Sequence, residues 1–336
     1  MSLFRSCPSN CWRYFRQGIA YLRELQQTSA SHSILFHCWR SDDLASARRI
    51  FQSIAENGLL LTTNARTLDS FGIDRGKGVV QMEVMQHPRI CFTDIAPNQL
   101  GSHGQRYGKY GIGFLRETII NWGGLPAWYL PNYWHDDSLK VVGPALVNSL
   151  HAAMDAARQY QAIARELLSK GVPITVQYVH GTPVSGQQLV NEMENVANTL
   201  FCVLSFIKEM SPSSAEDYSY LFEREWRLIS GIGLVGRAPI SRALTSEEKQ
   251  ILCVHNPTWQ APRQSQDVNI TARYGTSPII DSFQYFNGIE GQGSVAQLID
   301  TVLVPTRREA RWITGFIEEH RVLFGNGRPN VMVFPS

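Results

Sequence analysis

Apolar positions recur at helical spacing over two long stretches, 145–169 and 187–209, and at strand spacing over many shorter ones. The first long stretch contains HAAMDAARQYQAIARELLSK, rich in alanine and amphipathic, which predicts a stable helix. A further helix is predicted over 12–27. SILFHC at 33–38 reads as a strand. SDD at 41–43 then caps a helix running to about Glu56, and Gly58 stops it. Polar, glycine-containing 64–78 reads as a loop. PRICFTDI at 88–95 reads as a strand, YGKYGIGFLR as a turn and a strand, and PAWYLPN at 126–132 as another strand. VPITVQYVH at 172–180 is a strand or an extended connector, and 251–270 is weakly structured. The C-terminal part predicts a strand near 298–305, a helix over 306–320 and a short strand in NVMVFP.

Helices and strands follow no regular alternation, which favours α+β over a doubly wound sheet. The expected architecture is one domain, 1–336, with a mixed or antiparallel sheet core and a helical insertion at about 145–210.

The segment FEREWRL, 222–228, admits two readings. As a helix it pairs Glu223 with Arg227 and is a surface element. As a strand it sets Glu223, Glu225 and Arg227 on one face, against Phe222, Arg224, Trp226 and Leu228 on the other. The split of Glu223, Glu225 and Arg227 from Phe222, Trp226 and Leu228 predicts the strand.

Charge changes this picture little. The 31 basic and 29 acidic residues leave a formal net charge of +2, so bulk electrostatics do not mark a nucleic-acid binder. Hydrophobic residues make up 43% of the 336, enough for a sizeable core. Of the six cysteines, Cys7 and Cys11 are close in sequence, but no second pair faces them and zinc spacing is absent. The N-terminus carries arginines where a signal peptide is oily, and apolar runs are too short to span a membrane. These features predict a soluble cytoplasmic protein with free thiols. Gly108, Gly111 and Gly113 lack the spacing of a dinucleotide or Walker loop.

Four stretches concentrate polar side chains. In LFHCWRSDD, His37 shares a strand face with Leu35 and Trp39, and Arg40 begins the exit. In ICFTDIAPNQLGSHGQRYGKYGIGF, Cys91 and Thr93 take one face and Phe92 and Asp94 the other. The glycine-rich loop after it offers His103, Arg106, Tyr107 and Tyr110, whose tyrosine rings can stack on a flat ligand ring. EREWR centres Glu225 on a strand face. VPTRREARW starts a helix with Arg307, Arg308 and Arg311, a phosphate site or a solvated face.

LFHCWR with NGLLLT resembles the opening of the ADP-ribosyltransferase superfamily. PRICFTDIAPNQLGSHGQRYGKYGIGF with EREWR resembles AbiGi-type abortive phage resistance proteins and a related uncharacterised bacterial family. The transferase resemblance implies NAD as substrate and one cleft holding His37, Tyr107 or Tyr110, and Glu225. Glu225, His37 and Tyr110 would be catalytic, with Glu225 stabilising a cationic ribose as nicotinamide leaves. His37, Arg40, Thr93, His103, Arg106, Tyr107, Tyr110, Glu223 and Arg227 would line the cofactor site. On that reading, Glu225→Gln removes activity and leaves folding nearly intact. The second strand lacks a Ser-Thr-Ser stretch, with Thr93 a lone partial match.

Three classes of function follow. The first is an NAD-consuming transferase or glycohydrolase in anti-phage defence, with a nucleic-acid or protein acceptor. The second is a non-enzymatic antitoxin or immunity protein that binds a partner, its polar groups paired with one another. The third is a metal-dependent nuclease built on Asp94, His103, Glu223 and Glu225, ranked last because the acids are widely spread.

Overall fold

A computed structural model describes residues 34–41, 43–63, 88–96, 100–131, 142–177, 183–210, 224–230, 238–260 and 278–334, with four two-residue strands between 69 and 84. The helix expected at 12–27, the residues Cys7 and Cys11, and Glu223 lie outside the described residues.

Strand β1, Ile34–Trp39, enters a helix α1, Leu44–Asn57. The Asp43 side chain caps α1 by accepting from the Ser46 backbone N–H, and Gly58 ends it with a φ of 90°. Strand β2 is Leu59–Leu61 and β3 is Arg89–Thr93. Between them the expected loop contains two short ladders, Asp69–Ser70 with Glu83–Val84 and Ile73–Asp74 with Gly78–Val79.

Helix α2, Leu100–Tyr107, replaces the glycine-rich loop expected there. The reason lies in packing. A Cβ on Gly104 would sit 2.4 Å from the Phe334 ring, so this glycine serves close approach to an aromatic ring. Gly108 ends the helix at φ 109°, with its backbone pressed on the Trp39 carbonyl.

Strand β4, Tyr110–Leu115, follows, then a short helix α3, Arg116–Asn121, and strands β5, Leu125–Pro126, and β6, Trp128–Pro131. Helix α4, Val142–Ser169, and helix α5, Gly186–Phe206, form an antiparallel hairpin closed by a ladder of Thr175–Val176 with Val184–Ser185. Ser185 and Gln188 make a capping box at the start of α5. The chain turns extended at Ile207, earlier than expected, as β7, Ile207–Met210, which pairs with β6 in parallel. Strand β8 is Glu225–Ile229, so FEREWRL is extended from Glu225 onward, as the alternation predicts.

The remaining elements are β9, Pro239–Ala243; α6, Ser246–His255; β10, Gln284–Ile289; β11, Thr301–Val304; α7, Arg307–Glu319; and β12, Asn330–Val333. The fold is mixed α and β, around an open seven-stranded sheet of order β12-β11-β4-β1-β3-β8-β5. All its pairs are antiparallel except β11 with β12. A three-stranded sheet orders β9-β10-β2.

The two faces of the large sheet are separately filled. Leu35, Phe92, Ile112, Phe114, Leu228 and Val302 join Phe51 of α1 and Phe316 of α7 in the main core. Phe36, Leu303, Leu100 and Phe334 form a smaller cluster with α2 on the other face. The helical hairpin has its own core of Val147, Met154, Ala157, Ala197, Phe201 and Leu204.

Candidate functional site

Pairing across the sheet decides which predicted residues can meet. Residues directly opposite on antiparallel strands project to the same face. The row Glu225–Thr93–Phe36–Gly113–Thr301 therefore lies on one face. His37 is one residue on from Phe36 and opposite Ile112, so it projects to the other face. There it stacks on Trp39 and meets the Phe92 edge, with ring centroids 6.4 and 6.1 Å apart. Tyr110, opposite Trp39 and stacked on it at 6.1 Å, shares that face. The single cleft expected to hold His37, Tyr110 and Glu225 is thus not formed. A residue period of two and a fixed register put them on opposite sides of the sheet.

On its face, Glu225 is the hub of a closed polar network. One carboxylate oxygen, Oε1, accepts from Arg227 Nε at 2.6 Å and from the Cys91 thiol at 3.2 Å. The other, Oε2, accepts from Lys208 Nζ at 2.6 Å. The Glu225 side chain is 11% exposed and that of Arg227 2%. Arg227 Nη1 donates to the carbonyls of Ser205 at 2.7 Å and Ile207 at 2.9 Å, at the point where α5 passes into β7. The Tyr129 hydroxyl accepts from the Glu225 backbone N–H at 3.1 Å, and Lys208 lies 5.7 Å from the Tyr129 ring.

Burial opposes ionisation of Glu225, but Arg227 and Lys208 overcome it and hold the carboxyl at about 2. Burial, then the Glu225 charge, pushes the Cys91 thiol up to about 11, so it is a protonated donor. Just before the strand, Arg224 has φ 42°, a left-handed conformation that non-glycine residues seldom adopt.

The other predicted residues are dispersed. His37 is half-buried, and its Nδ1–H donates to the Cys91 carbonyl at 2.9 Å. Burial lowers its pKa and that hydrogen bond only partly restores it. Arg40 donates to the Gln105 carbonyl at 3.0 Å, tying the exit of β1 to α2. Thr93 is buried at 3% exposure between Phe36 and Glu225 in the row. His103 and Tyr107 lie one turn apart on α2 with ring centroids 4.5 Å apart, and Arg106 stands 5.7 Å over the Tyr107 ring. This group sits on the Glu225 face but toward the β12 edge, where α2 packs on Phe334.

Around Tyr110, a cavity lined by Trp39, Arg48, Glu309 and Trp312 has a volume of about 10 Å³, room for roughly one water molecule. Asp94 accepts from Arg116 at 2.7 Å. Among the described residues no group of three or more His, Cys, Asp or Glu is placed to hold a metal ion, and Glu223 of the metal reading lies outside them. No helix among the described residues is long and apolar enough to cross a membrane.

Sequence reasoning missed Lys208, Tyr129 and Cys91 as partners of Glu225. Lys208 carries one faint signal, a lone cation directly after the oily run VLSFI. Tyr129, far away in sequence, carries none.

A family model described as "Putative abortive phage resistance protein AbiGi, antitoxin" matches residues 65–256, more than half of the chain. No curated protein and no solved structure matches.

Proposed function

The chain belongs to the AbiGi antitoxin family of abortive phage resistance, and from this premise we propose that it is a non-enzymatic antitoxin that acts by binding a partner protein of its defence system. The observation that carries the reading beyond the family description is the engagement of the Glu225 carboxylate. Both of its oxygens are taken up by Arg227, Lys208 and Cys91. A transferase glutamate has to offer an oxygen to a ribose hydroxyl as charge develops. Here that would break an ion pair that is largely screened from water, at a cost of several kcal/mol. The separation of His37 from Glu225 by the thickness of the sheet adds to the same side of the balance.

In this reading, Glu225 and Arg227 act as a structural clamp. They fasten the helical hairpin to the edge of the sheet, and the hairpin lies wholly within the matched segment. The compartment we assign is the cytoplasm, where the four described cysteines, Cys38, Cys91, Cys202 and Cys253, stay as free thiols.

The test is incubation of the purified chain with labelled NAD, alone and with nucleic acid or the toxin of its system, while free nicotinamide and label transfer are followed. The expected result is no turnover in any arm, together with a stable complex between chain and toxin. Catalytic nicotinamide release, or label on nucleic acid or protein, overturns the proposal in favour of an NAD-consuming enzyme.

A further inference from the structure

Helices α1 and α7 meet on one face of the large sheet, where Phe51 touches Trp312 and Phe316 edge-on. Beside that contact lies the cavity around Tyr110. Its volume of about 10 Å³ suits a single water molecule. Trp39, Tyr110 and Trp312 give it aromatic walls, and Arg48 and Glu309 bring charge to the lining.

Two of these lining side chains carry a donor that is shielded from solvent and has no acceptor among the described residues. They are Trp39, through its indole Nε1–H, and Arg48, through its Nε–H. Both side chains are held in place. The Trp39 ring stacks on Tyr110 at 6.1 Å with the planes 19° apart, and the Arg48 guanidinium stands 4.6 Å over the Trp312 ring. A buried donor left without an acceptor forfeits the hydrogen bonds it made to water in the unfolded chain. Native proteins meet such donors with ordered water where the cavity is polar and large enough. Acceptors line the same cavity, in the Glu309 carboxylate and the Tyr110 hydroxyl. Burial first, then the Glu309 charge, pushes the pKa of that hydroxyl up, and Arg48 draws it down, so both charges act at the cavity wall.

We propose that this cavity is a binding site for one ordered water molecule, which accepts from Trp39 Nε1–H and Arg48 Nε–H and donates to the acceptors that Glu309 and Tyr110 offer. The ligand follows from the chemistry of the lining. Water has two lone pairs for the two donors and two protons for the two acceptors. A halide ion would meet the donors but lie against the Glu309 carboxylate. An apolar guest would leave both donors unmade, and a metal cation would face the guanidinium of Arg48. In this role the water ties β1 and α1 to α7, at the far end of the chain. This proposal is independent of the antitoxin reading.

Magnetic resonance of the full chain, isotope-labelled at its tryptophan indoles, tests it through cross-relaxation from water. The Trp39 indole resonance is assigned from its ring's contacts with Tyr110 and confirmed by its loss in Trp39→Phe. The expected result is a direct nuclear Overhauser effect from water at that resonance, of the sign that a long-lived bound water gives. It should persist in Tyr110→Phe, which removes the exchangeable hydroxyl from the cavity wall. It should be lost in Arg48→Lys, which keeps a cation near Trp312 but puts a methylene where the Nε–H stands. No effect at the wild-type resonance overturns the proposal, because the cavity is then dry. So does an effect that vanishes in Tyr110→Phe, which marks relay through the hydroxyl, or one that is unchanged in Arg48→Lys, which takes Arg48 out of the site. A Trp39 resonance that shifts on titration with bromide at constant ionic strength assigns the cavity to a halide and overturns it too.

Discussion

Arg227 closes on Glu225 at 2.6 Å from the same strand face, then reaches past it to the carbonyls of Ser205 and Ile207. One guanidinium thus neutralises a shielded carboxylate and satisfies the backbone where the helical hairpin ends. A residue that joins two parts of the fold in this way should dominate their mutual stability.

Arg227→Met keeps the bulk but strips Glu225 of one of its two cations and removes the guanidinium donor from the Ser205 and Ile207 carbonyls. The expected loss is about 3–5 kcal/mol, read from urea unfolding. Glu225→Gln should cost about 3 kcal/mol by leaving Arg227 and Lys208 facing a neutral group. The variant expected from sequence to fold nearly normally is therefore a stability variant. The double variant should lose less than the sum of the singles, since neither charge is left behind. Additive losses would show that the two side chains do not act as a pair.

The same carboxylate shapes acid stability. Its folded pKa, about 2, lies below the ordinary glutamate value of 4.5, so it contributes stability that is fully present above the ordinary value. That contribution, roughly 3 kcal/mol, is lost as pH falls from about 4.5 toward 2. Unfolding free energy measured across this window should fall with a shallower slope in Glu225→Gln than in the wild type. Parallel slopes would place the acid-labile group elsewhere.

Arg224 supplies a backbone test. At φ 42° a Cβ is disfavoured, so Arg224→Gly should be more stable than Arg224→Ala by about 1 kcal/mol. Comparing the two variants cancels whatever the arginine side chain contributes. Equal melting behaviour would argue against a left-handed residue at the entry to β8.

Gly108→Ala should be costly for the same conformational reason and for a steric one. Its new Cβ would fall 1.9 Å from the Trp39 carbonyl oxygen at φ 109°. A loss of about 2 kcal/mol or more is expected, with a change in tryptophan fluorescence as Trp39 shifts. A near-neutral substitution would mean that α2 and β1 approach less closely.

Much of the fold was legible because its elements carry local signals. Asp43 and Gly58 bracket α1, apolar periodicity marks α4 and α5, and alternation sets Glu225 and Arg227 against Trp226 and Leu228. The helix α2 was missed because its glycines read as turns, whereas Gly104 is small to admit the Phe334 ring, a contact that local sequence does not encode. The site was legible on its strand and illegible across the sheet. Each of His37 and Glu225 falls on a strand as expected, but only the register of Phe36 on Thr93 and of Thr93 on Glu225 reveals that they face apart. Lys208 and Tyr129 reach Glu225 only through the tertiary path of the hairpin.

Titration of the toxin with the purified chain, with and without NAD, tests the central claim most directly. A binding antitoxin neutralises stoichiometrically, so residual toxin activity should fall linearly to an end point at a fixed molar ratio, and NAD should not move that end point. Neutralisation by a small fraction of an equivalent, growing with time and requiring NAD, would contradict the account and identify the chain as an enzyme.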